Sequence, residues 1–90
     1  MYSESVLVMN DTGLHARPAS EFTQTANLYE STITIQKKGV QDIINAKSIV
    51  KLLTQGINKG TEITISADGV DEVEAVQALV ALIEGGFGEL

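Results

Sequence analysis

The apolar positions of this chain change period several times along its 90 residues. Val6 and Val8 alternate with Leu7 and Met9, which predicts a strand with at least one buried face. Asn10-Asp11-Thr12-Gly13 is turn chemistry. After Pro18 the spacing becomes helical, with Ala19, Phe22, Ala26 and Tyr29 along one stripe. Ser31 to Lys37 returns to alternation, Ile33 and Ile35 on one face and threonines on the other. Lys38-Gly39 signals a hairpin, and Gln41 to Asn45 reads as the returning strand. Ala46 to Gln55 is a short helix, apolar over much of its surface and closed by Gly56; Gly60 marks the next turn. Glu62 to Ala67 alternates again, with Ile63, Ile65 and Ala67 inward. Asp68-Gly69 turns the chain into a last helix that opens at Asp71, where Glu74 is placed for a capping box. Val73, Val76, Leu79, Val80 and Ile83 form its apolar stripe, and Gly85-Gly86 end it.

The order is therefore βαββαβα. Mixed strands and helices without repeated βα pairs predict an α+β domain, an antiparallel sheet with helices on one face. Threonine and lysine positions on the strands supply a solvated sheet face. No linker or repeat interrupts the pattern, so residues 1–90 are read as one domain.

Composition narrows the function. A net charge of -6 argues against nucleic acid or an anionic membrane as the main partner. The absence of cysteine removes disulfides and thiolate metal sites. Met1-Tyr2-Ser3-Glu4 lacks the start of a signal peptide, and no apolar run approaches the roughly 20 residues that span a bilayer. The expected location is the cytoplasm, with no membrane insertion.

The candidate chemistry lies at the front edge of the first helix, in Gly13-Leu14-His15-Ala16-Arg17-Pro18. A lone histidine is ordinarily a solvated, hydrogen-bonding residue. This one takes the last non-helical position before a first turn that carries the chain's only proline. A helix N-terminus disfavours a positive imidazolium and so favours the neutral, nucleophilic ring. It also seats anions. A phosphoryl group on His15 could accept bonds from the backbone N–H groups of Ala16 and Arg17 and from the Arg17 guanidinium.

Gly13-Leu14-His15-Ala16-Arg17-Pro18-Ala19 resembles the active-site signature of the HPr family, the histidine-containing phosphocarriers of the bacterial phosphotransferase system. Asn45-Ala46-Lys47-Ser48-Ile49-Val50-Lys51-Leu52 and Lys59 to Ala67 match further stretches in the right order. The resemblance implies an open-faced β-sandwich, a four-stranded antiparallel sheet covered on one side by three helices. It implies that His15 takes a phosphoryl group from the phosphohistidine of enzyme I, charged by phosphoenolpyruvate, and passes it to an enzyme IIA domain. Family members use Nδ1 of the ring; the sequence does not select the nitrogen. No cofactor or metal is implied, and a monomer is expected. The protein would be a carrier rather than a free-standing catalyst.

Ser48 has two readings. It is a preferred N-cap for the second helix, and the resemblance makes it a candidate target of HPr kinase/phosphorylase in carbon catabolite repression. A regulator similar to Crh, acting through Ser48 without carrying phosphate, is the alternative function. The presence of His15 argues against it. Leu52 is the expected core residue of the second helix, whereas Ile49 and Leu53, with Lys51, are expected to form a partner patch next to His15.

Three features depart from the family pattern. Gln24 and Asn27 are neutral where enteric members carry lysines, which weakens electrostatic steering toward an acidic enzyme I. The stretch Gly39 to Ser48 is longer than in short members and predicts a longer hairpin or a bulge. The tail Gly85 to Leu90 resembles those of fructose-linked and nitrogen-linked variants, which leaves the pathway open.

Overall fold

Alternation at the centre of the chain produces the inner face of a sheet. The computed structural model describes residues 1–88. Its strands are β1 (Tyr2–Leu7), β2 (Thr32–Lys37), β3 (Ile43–Asn45) and β4 (Glu62–Asp68). They lie in the order β1-β4-β2-β3, with every neighbouring pair antiparallel. The register sets Ile33 opposite Ala67, Ile35 opposite Ile65 and Val6 opposite Ile63, so these buried side chains form one continuous apolar layer. The other face is polar. There the Ser3 and Ser66 hydroxyls pair at 2.8 Å and those of Ser5 and Thr64 at 3.0 Å.

Helices α1 (Ala16–Ala26), α2 (Ile49–Thr54) and α3 (Glu72–Glu84) complete the domain, with a short 3₁₀ turn at Gly86–Gly88. Helix α1 buries Ala19, Phe22 and Ala26, while α3 buries Ala75, Val76, Leu79, Val80 and Ile83. Only Leu52 of α2 is buried. Among the described residues, no helix is long and apolar enough to cross a membrane.

Several boundaries differ from the sequence expectation, each for a visible reason. Strand β1 runs from Tyr2 to Leu7 rather than from Val6 to Met9. Val8 is still buried, and beyond the strand it exchanges backbone bonds with Thr61 and Gly60 at 2.9 and 2.7 Å. Helix α1 ends at Ala26 because Asn27 caps it, its side-chain amide donating to the Thr23 carbonyl at 2.8 Å. Tyr29 therefore lies past the helix and is only partly buried. The β2–β3 ladder keeps one register from Thr34–Asn45 to Gln36–Ile43, so the extra length forms a longer connection, not a bulge in that ladder. Strand β3 accordingly starts at Ile43 rather than Gln41.

The capping box at the last helix does not form. Asp71 stands at the N-cap without a capping bond. Its carboxylate instead accepts the backbone N–H groups of Glu30 (2.9 Å) and Ser31 (3.0 Å), together with the Ser31 hydroxyl. Three donors from another part of the chain outweigh one local contact. The apolar stripe also shifts by part of a turn: Val73 is 43% exposed, and Ala75 takes the inward place.

Candidate functional site

The turn before α1 is fixed by close packing at a glycine. Gly13 has φ +65°, and a Cβ there would stand 2.4 Å from the Ile57 carbonyl oxygen. That approach lets the Leu14 N–H donate to the same carbonyl at 2.8 Å. Leu14 and Ile57 are both fully buried. The segment leading into α1 is thus clamped to the segment that follows α2, and His15 starts from an anchored backbone.

His15 is the N-cap of α1, with φ -124° and ψ 158°. Its side chain makes no capping bond. The half-buried imidazole reaches across instead, with Nε2 2.8 Å from Asn58 Oδ1. Ala16 follows at φ +48°, in the left-handed region. A residue with a Cβ is strained there, and such strain concentrates at functional sites. The first-turn N–H groups of α1 have no carbonyl within the helix to bond, and Pro18 has none to offer.

Arg17 pairs with a carboxylate one turn further along α1. Its side chain is 85% exposed, and Nε donates to Glu21 Oε1 at 2.9 Å. An exposed pair of this kind is weak, about 0.3–0.5 kcal/mol, so the guanidinium is free to exchange Glu21 for another anion. The surface concavities of about 440 and 320 Å³ lie over the β2–β3 connection and between β3 and α2, and neither is lined by His15. Among the described residues, no group of three His, Cys, Asp or Glu side chains could hold a metal ion.

Helices α1 and α2 run side by side in opposite directions. At one end Asn27 Nδ2 donates to the Lys47 carbonyl at 3.3 Å; at the other, Leu14 is bonded to Ile57. Leu53 therefore lies toward the His15 end, while Ile49 and Ser48 lie toward the far end. The two ends are separated by the 11 residues of α1, on the order of 16 Å of helix. Ile49 and Leu53 thus lie along a strip on α2 whose Leu53 end is the one toward His15. Ile49 and Leu53 are 38% and 41% exposed, Val50 more so, and Lys51 is also exposed. Ser48 is the N-cap of α2 and accepts a long bond, 3.4 Å, from the Lys51 N–H.

Two contacts at the site escaped the sequence reading. Glu21 carries a legible signal, since it stands four residues after Arg17 on one helix. Asn58 carries none, because 43 residues separate it from His15 and only the fold joins them.

Known proteins resemble this chain over nearly its full length. Residues 2–85 match the family model described as PTS HPr component phosphorylation site. Phosphocarrier protein HPr of Haemophilus influenzae is 47% identical over 83 residues, 92% of this chain and 95% of the relative. Phosphocarrier protein HPr of Neisseria meningitidis serogroup A is 43% identical over 89 residues, 99% of this chain and 98% of the relative. The crystal structure of HPr-C-His from Thermoanaerobacter tengcongensis superposes with a TM-score of 0.95 at 44% identity, covering 100% of this chain and 99% of the other. The fold, an open-faced sandwich of four antiparallel strands and three helices, is the one the sequence predicted. By sequence and by fold, the chain belongs to the HPr family of the phosphotransferase system.

Proposed function

We propose that this protein is a phosphocarrier of the phosphotransferase system. His15 accepts a phosphoryl group from enzyme I, charged by phosphoenolpyruvate, and passes it to an enzyme IIA domain, in the cytoplasm and as a monomer. The observation that carries the reading is the imidazole at the N-terminus of α1, turned away from capping and lining neither large concavity. A carrier needs a nucleophile that two partners can reach in turn; a hydrolase would need a pocket that holds substrate and water.

The chain's own residues supply the phosphate's surroundings. The Ala16 and Arg17 N–H groups and the N-terminal end of the α1 dipole favour the negative charge that arrives with the phosphoryl group. Arg17 adds a charge-assisted bond once it leaves Glu21. Ile49 and Leu53, flanked by Lys51, form the docking strip. They are half-exposed apolar side chains on a helix that spares only Leu52 for the core. Ser48 fits its role as the cap of α2. A regulatory phosphate there, added by an HPr kinase/phosphorylase, would lie a helix length from His15. It would act on the docking strip, not on the anion seat.

The test is incubation with labelled phosphoenolpyruvate, magnesium and enzyme I. Wild type should gain one acid-labile, base-stable phosphoryl group, and His15→Ala none. Equal labelling of the His15→Ala variant would remove His15 from the mechanism.

A further inference from the structure

We propose that Asn58 is a positioning residue for the phosphoryl acceptor: its side-chain carbonyl holds His15 as the Nε2–H tautomer and leaves the Nδ1 lone pair as the nucleophile. The proposal rests on the carrier reading and deepens it by naming the residue that keeps Nδ1, the nitrogen family members use, free of the ring proton.

The argument begins with hydrogen-bond chemistry. A neutral imidazole has one N–H and one lone pair, and the group bound at one nitrogen decides which atom carries which. An amide oxygen only accepts. Asn58 Oδ1 is 2.8 Å from Nε2, and this contact is a hydrogen bond only when Nε2 carries the ring proton. Nδ1, the ring nitrogen nearer the main chain, makes no capping bond. The positive end of α1 favours a lone pair there over an N–H. The same field opposes the reversed amide, whose NH₂ would face Nε2 and move the ring proton to Nδ1.

Backbone anchors make Asn58 a defined partner. Its N–H donates to Thr61 Oγ1 at 3.3 Å, and its carbonyl accepts from the Thr61 N–H at 3.0 Å. On the other side, Gly13 packs so closely that a Cβ would stand 2.7 Å from the Asn58 Cα. Leu14 is tied to Ile57, the residue before. Acceptor and nucleophile thus sit on two segments fixed to each other within two residues of both side chains, which is how a half-buried ring keeps one orientation.

The transfer step follows with its electrons balanced. The Nδ1 lone pair forms the new N–P bond. The P–N bond to the donor phosphohistidine breaks, and its electron pair stays on the donor nitrogen. The Nε2 proton does not move, and the positive charge that develops on the phosphorylated ring is shared through Nε2–H with Asn58 Oδ1.

The test reads the tautomer directly, by long-range ¹H–¹⁵N correlation on histidine-labelled protein at about pH 8.5, where an unperturbed imidazole is neutral. Wild type should show Nε2–H alone. Asn58→Leu should show both tautomers and accept phosphoryl groups from enzyme I roughly three- to tenfold more slowly. Asn58→Asp, which keeps the acceptor, should restore the single tautomer; its rate is set aside because its charge repels the phosphoryl group. An Asn58→Leu variant with unchanged tautomer and unchanged rate would overturn the role of Asn58 while leaving the carrier reading intact. A wild type with a single tautomer that takes no phosphate would overturn the carrier reading itself.

Discussion

At the residue scale, the site combines one permitted left-handed residue with one that is strained. Gly13 at φ +65° is free of Cβ and lets the turn touch Ile57. Ala16 at φ +48° carries a Cβ, at a cost of roughly 1–3 kcal/mol. Glycine would relieve that strain but gives the unfolded chain more freedom, a loss of about 0.4–1 kcal/mol. Ala16→Gly should therefore raise stability by roughly 1 kcal/mol, read as a higher urea midpoint with an unchanged slope. A lowered midpoint would mean that Ala16 carries no strain. His15 was legible at this scale because an N-cap followed by Pro18 is local chemistry. The Arg17–Glu21 pair was legible too, from the four-residue spacing of opposite charges on one helix.

At the element scale, the entry to α3 shows why local signals fail. Asp71 and Glu74 fit a capping box, but the chain reversal after α1 presents Glu30 and Ser31 to the same carboxylate. The bond from the Ser31 hydroxyl, then that from the Glu30 N–H, holds the Asp71 carboxyl below the usual carboxylate range. The Gly69 N–H, then the chain's N-terminal ammonium, does the same for Glu72. A carboxyl depressed in the folded state stabilises the protein above its unfolded pKa, and that contribution is lost as pH falls through the folded value. Stability should thus drop as pH goes through and below about 4. Asp71→Asn should be less stable at pH 7 and flatter between pH 7 and pH 3, by thermal melts at both. An equal acid loss in the variant would remove Asp71 from this coupling. The strand alternation, by contrast, was legible because Ile33, Ile35, Ile63 and Ile65 fill one face without help from distant polar groups.

At the scale of the whole molecule, the net charge of -6 and the disposition of the cations define what can dock. Arg17 and Lys59 are paired with Glu21 and Asp11, while Lys37 and Lys47 are tied to main-chain carbonyls. Gln24 is exposed and neutral, and Asn27 is occupied as the cap of α1. Lys51, exposed on α2, is a cation with no such partner among the described residues, and with the half-exposed Ile49 and Leu53 it makes up the strip proposed to hold a partner. The sequence revealed that strip by having more apolar residues than a short helix can bury. It could not reveal the strip's direction, which depends on the Asn27–Lys47 and Leu14–Ile57 bonds between distant segments.

The central claim is that the phosphoryl group on His15 is in transit. A single-turnover chase tests it most directly: label the protein through enzyme I, remove donor and enzyme, add an enzyme IIA domain and follow the label. The account predicts that the label leaves this chain and appears on the enzyme IIA histidine in equal amount. Label that stays on His15, or is released as inorganic phosphate while enzyme IIA remains unlabelled, would contradict it.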